Sequence, residues 1–192
     1  PEVPEIKTST YEKLAQVAPE HTIFATNSST LLPSSFMEAT GRPDKFLALH
    51  FANHIWRLNT AEVMGTDKTD PAVYDTVVEF AEEIKMVPIK VLKEQPGYVL
   101  NSLLVPFLNA GAGLLVGGVA DAETIDKTWR IATGAPLGPF QIFDVVGLNT
   151  AYNITSANPA PAAQAFAKLL KEEYIDKGKL GRETGEGFYK YN

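Results

Sequence analysis

Apolar and polar positions divide the chain into two stretches of different rhythm. Through residue 92, short apolar runs alternate with helical periodicities. Thr22-Ile-Phe-Ala25, Phe46-Leu-Ala-Leu49, Ala61-Glu-Val-Met64 and Val87-Pro-Ile-Lys-Val-Leu92 predict strands, and Pro88 puts the last of them at a sheet edge. Residues 2–7 read as the tail of a strand and its loop. Ser9-Thr-Tyr-Glu12 fits a capping box with Ser9 as N-cap, ahead of an apolar face at Leu14, Val17 and Ala18. Pro33 and Ser34 start a short helix over 35–40, stopped by Gly41-Arg-Pro43. Asp70-Pro71 opens a longer helix whose apolar face is Val73, Val77, Phe80, Ala81 and Ile84. Alternation of this kind predicts α/β layers.

Gln95-Pro-Gly97 marks the domain boundary, and beyond it the pattern is helix and turn. Residues 98–115 form a long apolar helix that Pro106 is expected to kink. Asp121 caps a helix with Ile125 and Trp129 one turn apart. Residues 140–146 make a short amphipathic helix ended by Gly147, and 149–156 another. Pro159 and Pro161 precede a helix lined by Phe166, Leu169, Leu170 and Tyr174; residues 184–191 are a turn followed by an extended aromatic end. The expected domains are 1–95, the end portion of an α/β domain, and 96–192, an all-α domain. A dinucleotide-binding domain needs a Gly-rich turn after its first strand, where backbone can approach the pyrophosphate. Gly111, Gly113, Gly117 and Gly118 follow no strand and read instead as close helix packing. The chain, which opens on Pro1 rather than Met, is therefore expected to be the inside of a longer protein.

Composition narrows the classes. With 45% hydrophobic and 21% charged residues the chain is globular rather than disordered. A net charge of −6 without a dense Lys/Arg block gives no reason to expect nucleic acid. No cysteine is present, so disulfides and thiol chemistry are excluded, and three histidines (His21, His50, His54) argue against a His-rich metal site. No secretory or transit signal is visible. Residues 95–120 carry no charge, but Asn101, Asn109, Pro106 and five glycines make a buried core or interface helix the better reading than a membrane span.

The candidate chemistry lies between two of the predicted strands. One run delivers His50 and the next carries Glu62. Two strands joined by a loop bring such ends face to face, and a carboxylate beside an imidazole favours the protonated ring and fixes its orientation. Such a pair suits proton removal from an alcohol. By itself the signal is weak, because a histidine ending an apolar run is more often a hydrogen-bonded structural residue.

A wider set of motifs changes that balance. Phe24-Ala-Thr-Asn-Ser-Ser-Thr-Leu31, His50-Phe-x-Asn53, Glu62-Val, Pro96-Gly-Tyr-Val-Leu-Asn101, Leu103-Leu-Val-Pro106, Gly134-x-Pro-Leu-Gly-Pro-Phe140, Asp144-x-Val-Gly-Leu148 and Thr184-Gly-x-Gly-Phe-Tyr189 occur in order, with twelve residues from His to Glu. Over essentially its whole length the chain resembles the 3-hydroxyacyl-CoA dehydrogenases, including bacterial 3-hydroxybutyryl-CoA dehydrogenases. The resemblance implies that 1–95 is the C-terminal portion of a Rossmann-type NAD-binding domain and 96–192 a helical substrate and dimerisation domain. It implies NAD as cofactor, an acyl-CoA as substrate, a homodimer, and cytoplasmic work in fatty acid or butanoate metabolism. The reaction it implies is oxidation of an L-3-hydroxyacyl-CoA to the 3-oxoacyl-CoA. The 192 residues alone, without the Gly-rich loop, are expected to show little activity.

The same resemblance assigns roles. His50 matches the general base that takes the 3-hydroxyl proton as hydride leaves for the nicotinamide, and Glu62 its carboxylate partner. Ser29 matches a serine near nicotinamide and substrate, Asn101 an asparagine near the thioester and 3-oxygen, and Asn53 a cofactor-contacting asparagine. Glu2 and Lys7 fall where the family has a Glu and a Lys at the cofactor's edge. Without the family, Ser29 reads as a turn hydroxyl, Asn101 as a packed polar residue, Asn53 as a loop cap, and Glu2 and Lys7 as a solvated loop; Asn27 reads as support for the Ser29 loop. The chain departs from the pattern at Ala52 and His54, where the family has an aromatic residue and a proline, and through 55–60. His54 competes with His50 as base but lacks the twelve-residue spacing. Those departures bear on substrate identity more than on reaction class. Two rivals stand beside this reading. One is a non-catalytic helical assembly module; the other is a dehydrogenase of free 3-hydroxy acids, which commonly uses a lysine base that no residue here matches.

Overall fold

The computed structural model describes residues 2–53 and 55–191, so the candidate base His54 lies outside the described residues. The chain forms two compact units, Pro1–Ser102 and Leu103–Asn192.

The first unit is built on a four-stranded mixed sheet in the order β1 (Phe24–Thr26), β2 (Phe46–Phe51), β3 (Thr60–Gly65), β4 (Val87–Val91). β1 and β2 are parallel, β2 and β3 antiparallel, β3 and β4 parallel. The two central strands are apolar and almost wholly buried, whereas β4, with Pro88, lies last in the order, as its sequence predicts. Helix α2 (Pro71–Glu83) starts as expected: Asp70 Oδ1 accepts from Ala72 N at 2.7 Å and Pro71 fills the first helical position. It buries Val77, Val78 and Ala81 against Leu47, Leu49, Ala61 and Val63. Phe80 and Ile84 are exposed, so the buried stripe is rotated from the predicted one toward Tyr74 and Val78.

Two further expectations for this unit fail. Residues 2–7 are not a strand tail. Helix α1 (Pro4–Val17) starts there, with Pro at its first position and Val3 as N-cap, so Ser9 lies inside the helix and makes no capping box. A proline's fixed φ and missing N–H suit the first turn, and that outweighs the later Ser-x-x-Glu signal. The predicted helix over 35–40 is two tight turns, Pro33–Ser35 and Met37–Thr40.

The second unit is helical. It contains most of α3 (Leu100–Val116, with Pro106 inside it), then α4 (Ala122–Thr133), α5 (Pro139–Val146), α6 (Leu148–Ser156) and α7 (Pro161–Leu169), which continues as a wider π turn over Leu170–Tyr174. Asp121 caps α4 through Thr124 N at 2.8 Å. Phe140, Phe143, Leu148, Phe166 and Leu170 form the core, against which the tail's Phe188 packs. Close packing explains Gly111, where a Cβ would come within 2.8 Å of Pro139, but not Gly113 or Gly118, which face open space. The close-packing expectation for the glycines of residues 111–118 thus holds only in part.

Two buried aspartates tie this unit together. Asp126 accepts from Phe140 N, Gln141 N and Tyr189 Oη, each at 2.9 Å. Asp144 accepts from Phe188 N at 2.9 Å, Tyr189 N at 3.0 Å and Tyr191 Oη at 2.8 Å. A Cβ on Gly187 would fall 2.0 Å from Asp144 Oδ1, so the Thr184-Gly-x-Gly turn is glycine-rich to let the tail close over that carboxylate.

Candidate active site

The antiparallel register of β2 and β3 pairs His50 directly with Glu62. Directly paired side chains in such a ladder share one face and lie within reach of each other. Glu62 Oε2 is 2.9 Å from His50 Nδ1 and both residues are 4% exposed. The other carboxylate oxygen, Oε1, accepts from Val99 N and Leu100 N at 2.9 Å each, where α3 begins. An anion there satisfies amide donors that the helix leaves unpaired and meets the positive end of its dipole. A carboxylate only accepts, so this contact calls for the proton on Nδ1, which in the neutral ring leaves Nε2 its lone pair. That lone pair faces Ser29 Oγ at 3.2 Å.

Ser29 stands in the loop that leaves the C-terminal end of β1, beside the end of β2, and this is the edge where α/β sheets bind ligands. Phe51 N donates to Asn27 Oδ1 at 2.9 Å, which ties the two strand ends together as the support reading expects. Ser28 is buried, and its Oγ–H donates to Glu2. Glu2 also accepts from Ser29 N and, at 3.3 Å, from Thr30 N. Partial burial opposes the charge on Glu2, but the Ser28 hydroxyl, the Ser29 amide, the Lys7 ammonium and the Thr30 amide outweigh it and hold the carboxyl below its ordinary value.

Tyr98 was not among the residues given a role from sequence. Its ring stacks on His50, centroids 4.4 Å apart and planes 9° from parallel, and its hydroxyl donates to Ser28 O at 2.6 Å. Burial foremost, then the nearby charges of Glu2 and Glu62, push that hydroxyl well above the usual tyrosine value, so it stays a neutral donor. The residue has φ +54°, a left-handed conformation that costs a bulky side chain about 1–3 kcal/mol. A tyrosine straight after Pro-Gly is the sequence signal that marked it.

The structure brings His50, Glu62, Ser29 and Glu2 into one hydrogen-bonded chain. Lys7, half-buried in the first turns of α1, reaches it through its charge on Glu2. Asn101 is half-buried in the first turn of α3, next to Leu100, whose amide holds Glu62. Asn53 is exposed in the loop after β2 and takes no part in the network. In the same loop Trp56 is 75% and Leu58 61% exposed.

Residues 1–95 match the family model of the 3-hydroxyacyl-CoA dehydrogenase NAD binding domain, and residues 97–191 that of its C-terminal domain. The mitochondrial hydroxyacyl-coenzyme A dehydrogenase of Sus scrofa is 37% identical over 97% of this chain and 60% of its own length. The 3-hydroxybutyryl-CoA dehydrogenase of Clostridioides difficile is 34% identical over 97% of this chain and 67% of its own. Among solved structures, a diketoreductase described for dual catalysis of dicarbonyl compounds is 68% identical, with TM-score 0.97 over 100% of this chain and 67% of that one. FadB2 of M. tuberculosis is 27% identical, with TM-score 0.83 over 100% of this chain and 68% of that one. The chain thus spans about 60% of the length of the mitochondrial relatives it matches.

Proposed function

The chain belongs to the 3-hydroxyacyl-CoA dehydrogenase family, and on that premise we propose that the protein carrying it interconverts an L-3-hydroxyacyl-CoA and its 3-oxoacyl-CoA with NAD. The hydrogen-bonded His50–Glu62 pair, with its free nitrogen at Ser29, is the observation that carries this reading. The polar pair at the ligand-binding edge of β1 and β2 fits the nicotinamide end of the cofactor. When bound, NAD supplies the hydride acceptor.

The residues of the chain handle the proton and the positioning. Nε2 of His50 takes the proton of the 3-hydroxyl, and Glu62 steadies the imidazolium that forms. Ser29 Oγ–H donates to the reacting oxygen, and Asn101 orients the thioester end. Glu2 fixes the backbone of the Ser29 loop, while Lys7 and Asn53 meet the cofactor's outer parts. In the full-length protein, His50→Gln is expected to lower kcat about 10²–10⁴-fold with little change in melting temperature. A fully active variant overturns the assignment.

A second reading concerns the substrate. The 68% identity to a diketoreductase, together with the unusual loop of Trp56 and Leu58, favours a carbonyl compound that need not carry CoA. Rates of NADH oxidation with a 3-oxoacyl-CoA and with a dicarbonyl compound lacking CoA, measured side by side, decide between them.

Assembly as a homodimer through the second unit belongs to the same proposal. Support comes from an apolar groove of about 510 Å³ lined by Phe107, Leu114, Val119, Ile125, Trp129 and Pro139. A monomer mass by light scattering would overturn it.

A further inference from the structure

We propose that Tyr98 is a positioning residue for the reaction, holding the base and the serine loop in one fixed relation. The inference rests on His50 being the base. Three observations carry it. The phenol ring lies flat on the imidazole, 4.4 Å between centroids and 9° between planes, so it fixes the one rotation that the Nδ1–Glu62 bond leaves free. The phenol hydroxyl donates at 2.6 Å to the carbonyl of Ser28, the residue before Ser29, whose hydroxyl meets Nε2. One side chain therefore grips both partners of the Nε2–Ser29 contact from behind.

The third observation is the backbone. At φ +54° glycine or asparagine would sit at less cost, yet a 1%-exposed tyrosine occupies the position. Left-handed strain in a large residue persists where the surroundings over-determine it, and here the surroundings are the base, the serine loop and the apolar side chains of Ala48, Met64 and Val91. Its neighbour amides, Val99 N and Leu100 N, hold Glu62. The turn that strains Tyr98 thus also delivers the donors for the base's carboxylate. Proton transfer needs heavy atoms near hydrogen-bond distance, and a displacement of about 1 Å costs on the order of 10²-fold in rate.

The test uses the full-length protein with three variants. Tyr98→Leu removes both grips and is expected to lower kcat about 10²-fold while KM stays within about threefold. Tyr98→Phe keeps the ring, loses only the bond to Ser28 O, and recovers kcat to within about tenfold of wild type. A merely structural tyrosine would lower melting temperature and leave kcat per folded molecule unchanged in both variants, and that result overturns the proposal. His50→Gln separates the two levels. If it is inactive while Tyr98→Leu has wild-type kcat, only the positioning role fails; if it is active, the assignment of the base fails and this inference with it.

Discussion

Both units bury carboxylates without a lysine or arginine paired to them, and they satisfy those carboxylates differently. In the helical unit, Asp126 and Asp144 each accept from two backbone amides and a tyrosine hydroxyl, so every contact closes inward on the chain. In the sheet unit, Glu62 accepts two amides on one oxygen and gives the other to an imidazole whose far nitrogen faces a half-exposed serine. Burial and hydrogen bonding are alike in the two settings. What separates a staple from a proton-transfer device is whether the last partner can itself pass a proton to the edge of the fold. Sequence motifs do not make that distinction: Asp144 and Glu62 both stand in motifs that carry the family resemblance, and only one is read as chemistry.

The contrast can be broken by substitution. Asp144→Ala removes the acceptor of two amides and a tyrosine, and leaving such donors buried is expected to cost about 3 kcal/mol or more, seen as a lower denaturation midpoint. Its kcat per folded molecule should not change. Glu62→Gln should behave in reverse. The amide oxygen still accepts from Val99 and Leu100, so stability falls by only about 1 kcal/mol. Its NH₂ confronts the Nδ1 proton, however, and drives the imidazole to the tautomer with Nε2 protonated, so kcat falls about 10²-fold or more. If Glu62→Gln unfolds the protein more than Asp144→Ala does, the two carboxylates are the same kind of staple.

The smallest effect is expected at Glu2. Its carboxyl is held below the ordinary value of 4.5, so the folded state is stabilised when Glu2 is ionised. That contribution is fully present above the unfolded value and is lost as pH falls through the lower, folded one. Thermal melts of wild type and Glu2→Gln should therefore differ at neutral pH and converge in acid. Melts that stay parallel across that range would show that Glu2 does not hold the Ser29 loop through its charge.

Sequence by itself determined most of the scaffold and singled out His50 and Glu62, which the structure pairs. Short apolar runs located the four strands, and Asp70-Pro71 and Asp121 started their helices. These are local signals, written by backbone geometry and caps within a few residues. Tertiary structure decided the rest. That Glu2 feeds the Ser28–Ser29 loop, that Tyr98 lies against His50, and that Asp126 and Asp144 hold the tail are contacts between residues up to 70 positions apart. Such contacts are chosen by burial: a polar group shut away from water must find a partner wherever the fold brings one, and no local pattern names that partner in advance.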